Sequence, residues 1–129
     1  MTSRQRVQAV IEGRLPDRVP VSLHNFLPAA REAGITMKQY RTDPEAVAQA
    51  HLQAYEKYRH DCILIDLDTT LLAEAMGARS DAAADAPGHI ANPAISSLDE
   101  VGSLKPVDPL QDGRLPVLIE AIRLLDKAV

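Results

Sequence analysis

The run Cys62-Ile63-Leu64-Ile65-Asp66-Leu67-Asp68 constrains the fold more than any other part of the chain. It is a short apolar block rich in β-branched side chains, without regular alternation of polar and apolar positions. That pattern predicts a parallel strand covered on both faces, over about 62–68. A second strand is predicted over about 19–24, where Val19-Pro20-Val21-Ser22-Leu23 carries a proline tolerable only near a strand start.

The segments around these strands read as helices. Thr2-x-x-Gln5 has the form of a capping box, and Val7, Val10 and Ile11 recur at helical spacing until Gly13, so a helix is expected from Ser3 to Glu12. Leu15-Pro16-Asp17-Arg18 then makes a turn. Asp43-Pro44 pairs a capping residue with a proline at the first helical position, and Val47, Ala50, Ala54 and Tyr58 would line one face of the helix that follows. Residues 80–112 read as an elaborated loop with a short helix capped by Ser97-x-x-Glu100. A last helix begins near Pro116, with Leu118, Ala121, Ile122, Leu125 and Val129 as its apolar stripe and no capping residue at its end. Helix and strand alternate, so the fold class is α/β with a parallel pair. Two strands leave the edges and faces of such a sheet unsatisfied, so an incomplete structure is expected.

Composition narrows the function classes. A net charge of −4, no cluster of Lys or Arg, and only four aromatic residues among Phe, Tyr and Trp argue against a nucleic-acid partner. The amphipathic start and the lack of a long apolar run predict no membrane span and a cytoplasmic location. Cys62 lies in an apolar run and is expected to be a buried structural cysteine.

The sharpest chemical feature is Asp66-Leu67-Asp68-Thr69-Thr70. Two carboxylates two residues apart on a strand project to one face, at the end where α/β folds bind ligands. At about 6.5 Å and an effective dielectric near 20, their repulsion would be roughly 2.5 kcal/mol, enough to raise one apparent pKa by almost two units. Asp66 and Asp68 are therefore the candidate catalytic groups; alternatively, one of them caps a helix over Thr69 to Met76 while the other is solvated. Thr69, beside them, and His24-Asn25, at the end of the first strand, are the candidate substrate contacts. His51 and His60 read as surface or helix-facing residues and His89 as a loop residue. No pair of histidines has metal-ligand spacing.

The opening Ser3-Arg4-Gln5-Arg6-Val7-x-Ala9, the segment Pro16-Asp17-Arg18-Val19-Pro20-Val21, and Asp61 to Ala78 resemble the start of uroporphyrinogen decarboxylase-family proteins. The most specific part is Asp-x-Asp followed by Leu72-Ala73-Glu74-Ala75-Met76-Gly77. The resemblance implies the N-terminal part of a (β/α)₈ TIM barrel, with 1–129 as one portion of a single domain. In porphyrinogen-decarboxylating members an aspartate after the second strand binds the pyrrole N–H groups, and Asp68 matches it. Those members also carry two arginines after the first strand in an Arg-Gln-Ala-Gly-Arg pattern, where this chain has Leu23-His24-Asn25-Phe26-Leu27. Histidine and asparagine replace bidentate anchors poorly for a substrate with many carboxylates.

The resemblance therefore favours the family's other large branch, which transfers methyl groups between corrinoid proteins and thiols or similar acceptors. A full-length parent of that branch would use zinc, bound in the C-terminal half of the barrel, and a corrinoid methyl donor. No cofactor is expected within these 129 residues. Two alternatives stand beside it: a haloacid dehalogenase-like phosphatase with Asp66 as nucleophile and Asp68 as acid and base, and a non-catalytic module. A barrel needs around 250 residues to close, so this chain is expected to be inactive alone. It would hide its open edges in a homo-oligomer or against a missing C-terminal half.

Overall fold

The computed structural model describes residues 1–83 and 85–129. Two parallel strands form its central sheet: β1, Ser22–Leu23, and β2, Cys62–Ile63, in the register Ser22 to Cys62 and Leu23 to Ile63. Both are shorter than the sequence predicts, over 19–24 and 62–68. Val19 and Val21 are exposed, and beyond Ile63 the chain leaves the ladder. A strand extends only as far as its neighbour supplies partners, and among the described residues each strand has the other alone.

Local signals place most of the helices. Helix α1, Ser3–Ile11, starts at Thr2 with both halves of the capping box formed. Helices α2, Phe26–Glu32, and α3, Met37–Thr42, follow β1, and α3 begins with a second capping box between Thr36 and Gln39. Helix α4, Pro44–Tyr58, starts at Asp43, whose carboxylate accepts the backbone N–H groups of Glu45 and Ala46 at 2.9 and 3.4 Å. Pro44, lacking an N–H, sits where none is needed. Val47, Ala50 and Ala54 are buried as the periodicity predicts, but Tyr58 is exposed; its hydroxyl turns to Glu32.

After β2 come α5, Leu71–Ala75, and an antiparallel hairpin of β3, Arg79–Asp81, with β4, His89–Asn92. This hairpin lies in the stretch the sequence presents as loop. Its strands are short and β4 is exposed throughout, so they carry no apolar periodicity. A 3₁₀ helix spans Leu98–Ser103 without a side-chain cap from Ser97; Glu100 instead accepts the Ser96 N–H at 2.9 Å. Helix α6, Leu115–Ala128, closes the described chain.

Helix α4 lies against both α2 and α6. Met37, Tyr40, Val47, Leu67, Leu71 and Ala121 form the core between them, with partly buried Phe26, Ile65 and Leu118 around it. The small alanines of α2 and α4 let the helices approach closely. At the N-terminal end of the sheet, Asp61 joins α1 to the strands. Its buried carboxylate accepts Ser3 Oγ at 3.1 Å, Arg6 Nη1 at 2.5 Å, Arg18 Nη1 and Nη2 at 2.5 and 2.9 Å, and the Val21 N–H at 2.9 Å. No helix among the described residues is long and apolar enough to cross a membrane.

Candidate functional site

The C-terminal ends of β1 and β2 are where a parallel sheet presents ligand-binding loops, and His24, Asn25, Asp66, Asp68 and Thr69 all follow them in the chain. They separate into two layers. His24, Asp66 and Thr69 are accessible, with His24 and Thr69 exposed and the Asp66 side chain about one-third so. His24 Nε2 lies 3.7 Å from Asp66 Oδ2, a contact that becomes an ion pair when His24 is protonated, and the His24 ring tilts over Phe26 with centroids 5.6 Å apart. Asn25 leads into α2, yet its side chain caps nothing, and its Oδ1 is buried without a protein partner.

Asp68 belongs to the lower layer, with a fully buried side chain. Its Oδ1 accepts the Thr70 N–H at 2.9 Å, the Thr70 hydroxyl at 2.8 Å and Arg114 Nη2 at 2.9 Å, while Oδ2 accepts Arg41 Nε. Glu74 completes the cluster: Arg114 Nε donates to it at 2.6 Å, Arg41 Nη2 lies at 3.6 Å, and Ser80 donates its hydroxyl. Two carboxylates thus face two guanidiniums in a neutral buried group, the condition under which buried charges are tolerated.

The electrostatics follow. Burial pushes the Asp68 pKa up, but hydrogen bonds from Arg114 and Thr70 prevail and bring it down to about 2. For Glu74 burial is likewise outweighed, by Arg114 and Ser80, and its pKa falls. Asp68 is therefore a fixed anion and a poor general acid near neutral pH. The upward shift that repulsion within an Asp66–Asp68 pair would give does not appear at Asp68, because Arg41 and Arg114 neutralise it from below; Asp66 faces His24 instead. Neither aspartate's side chain caps α5 through its first turn; Asp68 instead fastens Thr70, the residue before it.

Neither Arg41 nor Arg114 carries a local signal in the sequence. They stand 27 and 46 residues from Asp68, and no local pattern marks an arginine for a distant carboxylate. The glycines beside them are a partial signal. A Cβ on Gly88 would come within 2.7 Å of Arg41 Nη2, and one on Gly113, at φ +57°, within 3.0 Å of the Ala75 backbone nitrogen. Glycine at these positions lets the hairpin and the turn before α6 close onto the cluster.

Below the site, His51 and His60 are buried, facing the helices. The Tyr40 hydroxyl donates to the Asp66 carbonyl at 2.8 Å, so its 2.7 Å contact with His51 Nε2 places the imidazole proton on that nitrogen. His51 Nδ1 is left bare, and burial lowers the pKa of the ring to about 4. Cys62, expected to be buried, is exposed, because the face of β2 it occupies has no covering element among the described residues. His89 is exposed on β4.

A model of the uroporphyrinogen decarboxylase (URO-D) family matches residues 2–129. The chain belongs to the uroporphyrinogen decarboxylase family. Among curated relatives, methylcobamide:CoM methyltransferase MtaA of Methanosarcina barkeri is 29% identical over 133 residues, covering 99% of this chain and 39% of the relative; its counterpart in strain Fusaro matches equally. Among solved structures, a methyltransferase from Methanosarcina mazei superposes with a TM-score of 0.84 at 26% identity, over 100% of this chain and 39% of that one. The chain thus spans about two-fifths of the length of the relatives it matches. The two parallel strands and their helices are the N-terminal part of a (β/α)₈ barrel.

The zinc implied by the family's methyl-transferring branch does not fit the residues at hand. Among the described residues, no three His, Cys, Asp or Glu side chains converge closely enough to hold a metal ion.

Proposed function

We propose that this chain is the N-terminal portion of a single barrel domain that takes part in corrinoid-linked methyl transfer. The observation that carries this reading is the match to methylcobamide:CoM methyltransferase MtaA along 99% of the chain. The site supports it. A porphyrinogen would need free guanidiniums for its carboxylates, and Arg41 and Arg114, the two that reach this end of the sheet, are already committed to Asp68 and Glu74.

In this reading the accessible His24, Asp66 and Thr69 contact the substrate, together with the half-buried Asn25 beside them. Asn25 Oδ1 offers an unused acceptor, and His24 with Asp66 can hold or move a proton at the mouth. Asp68 acts beneath them as a fixed carboxylate that sets the loop. A corrinoid would supply the methyl group, and zinc would be held by parts of the barrel that the relatives have and these residues do not span. The chain alone is inactive in this proposal.

The arrangement gives little support to a phosphatase, which would require Asp68 to donate and accept protons near neutrality. A chimera that carries residues 1–129 in place of the matching portion of Methanosarcina barkeri MtaA tests the proposal. Methyl transfer from methylcobamide to CoM is expected, falling at least tenfold with His24→Ala or Asp66→Asn. A folded chimera that transfers no methyl group, or that instead releases CO₂ from uroporphyrinogen, overturns it.

A further inference from the structure

Gly88 is a glycine that no backbone turn requires. Its φ is not positive, unlike those of Gly77 and Gly113, so the main chain there would accept a side chain. The space around it would not. A Cβ at this position would lie 2.7 Å from Arg41 Nη2 and 3.2 Å from both Arg41 Cζ and Thr70 Oγ1. The far end of an arginine usually swings aside at little cost, but this one is pinned. Its side chain is largely buried, Nε donates to Asp68 Oδ2, and Nη2 lies 3.6 Å from Glu74 Oε1. Thr70 is equally fixed, with its N–H on Asp68 Oδ1 at 2.9 Å.

The rest of the hairpin converges on the same place. Ser80 is the one residue of β3 and β4 that is not exposed, and its hydroxyl donates to Glu74. The register breaks between Arg79 and Ser80, an irregularity of the kind that re-aims a side chain. Two strands without an apolar face do not hold themselves together in water, so β3 and β4 keep their place through their ties to the ion cluster. In return the buried Gly88 keeps water from Arg41 and Thr70, and the exclusion of water strengthens bonds between fixed charges.

We propose that Gly88 is a positioning residue for the mouth of the sheet. It acts through Arg41, keeping the guanidinium on Asp68 so that Asp68 fixes Thr70 and, with it, the segment that carries Asp66 and Thr69. The ligand-contacting role of that segment rests on the proposed function; the coupling from hairpin to Thr70 does not. A glycine that only eased the folding of the hairpin would affect the whole chain evenly when replaced. One that positions the mouth loosens Asp68 and Thr70 ahead of the remainder.

Asp61, at the other end of the sheet, supplies the control. Amide hydrogen exchange is measured in the 129-residue chain at Thr70, whose N–H is held by Asp68, and at Val21, whose N–H is held by Asp61. Gly88→Ala should speed exchange at Thr70 by about tenfold and leave Val21 within about twofold. In an Arg41→Lys background, where the ammonium has no Nη2 for the new methyl to meet, Gly88→Ala should add less than about twofold at Thr70. If Gly88→Ala does not fold, Ser80→Ala, which takes the hairpin's hydroxyl from Glu74, replaces it with the same expected split between Thr70 and Val21. Unchanged exchange at Thr70, equal acceleration at Thr70 and Val21, or an undiminished effect in the Arg41→Lys background overturns the proposal. The chimera with MtaA reads the consequence: Gly88→Ala should lower methyl transfer by about fivefold, since small displacements of contacting groups slow a reaction. Full transfer by a chimera whose Thr70 has loosened overturns the positioning role. A chimera that transfers no methyl group with Gly88 in place removes the functional reading and leaves exchange at Thr70 to decide the coupling.

Discussion

Asp61 and Asp68 lie on either side of β2, and each is gripped by two guanidiniums and a backbone N–H. Their settings differ. Around Asp61 the donors come from α1 and from the segment before β1, and Arg6 is tied in turn to Asp17 at 2.7 Å. The Val21 N–H first, and then Arg18, Arg6 and Ser3, hold the Asp61 carboxyl well below the usual range in spite of its burial. The Asp61 carboxylate itself has no exposed surface. Around Asp68 the donors come from α3, from the turn before α6 and from Thr70, and directly along the chain stand the accessible Asp66 and Thr69. The same chemical device therefore serves as a staple at one end of the sheet and as a footing for an open polar surface at the other. A buried aspartate between arginines is not by itself a sign of catalysis.

Four measurements bear on this contrast. The largest effect is expected from Asp68→Ala, which leaves two buried guanidiniums, Arg41 and Arg114, to share Glu74 as their one carboxylate; urea denaturation should show a loss of roughly 3–5 kcal/mol. A loss under 1 kcal/mol would mean that the cluster is solvated and no footing at all. Next comes the acid limb of stability. Folded His51 takes up its proton near pH 4 and unfolded histidine near 6.5, because burial and the neighbouring His60 oppose its charge. Between those values the unfolded state binds more protons, so stability is complete above pH 6.5 and falls by about 3 kcal/mol as the pH drops to 4. His51→Gln, which can still donate to the Tyr40 hydroxyl, should flatten that limb; an unchanged slope would place the acid sensitivity elsewhere.

A smaller effect belongs to Arg114→Lys. An ammonium cannot bridge Asp68 and Glu74 as the guanidinium fork does. The Asp68 pKa, followed by carboxyl NMR, should rise from about 2 toward the ordinary 3.8, a change of about 1.4 kcal/mol for each unit. In the parent, the stability contributed by this carboxylate is full above pH 3.8 and is lost as the pH falls through 2; the variant should lose it at higher pH. The smallest effect is that of His24→Ala. This exposed side chain should change stability by no more than about 0.5 kcal/mol, even though the proposed function assigns it a tenfold role in methyl transfer. A large destabilisation would put His24 in the same structural layer as Asp68 and erase the contrast between accessible and fixed groups.

What could be read without coordinates was local. Thr2 with Gln5, and Asp43 with Pro44, mark helix starts because a cap acts within four residues of itself. Ser97 with Glu100 has the same form and fails, because its first turn is 3₁₀ and Glu100 reaches Ser96 instead. The apolar run after Asp61 marks a strand, but how far the ladder extends depends on a neighbour, so the predicted strand to Asp68 stops at Ile63. Cys62 is exposed for the same reason: apolar surroundings in sequence do not ensure a covering layer in space.

The sequence alone determined which segments coil, which two stretches pair in parallel, and that polar residues follow both strand ends, since hydrophobic periodicity and capping operate over a few bonds. Packing in three dimensions makes Asp68 a buried anion held by Arg41 and Arg114, while Asp66, two residues earlier, meets solvent and His24. The state of a carboxylate depends on excluded water and on charges delivered by distant segments, and neither is written in the residues beside it.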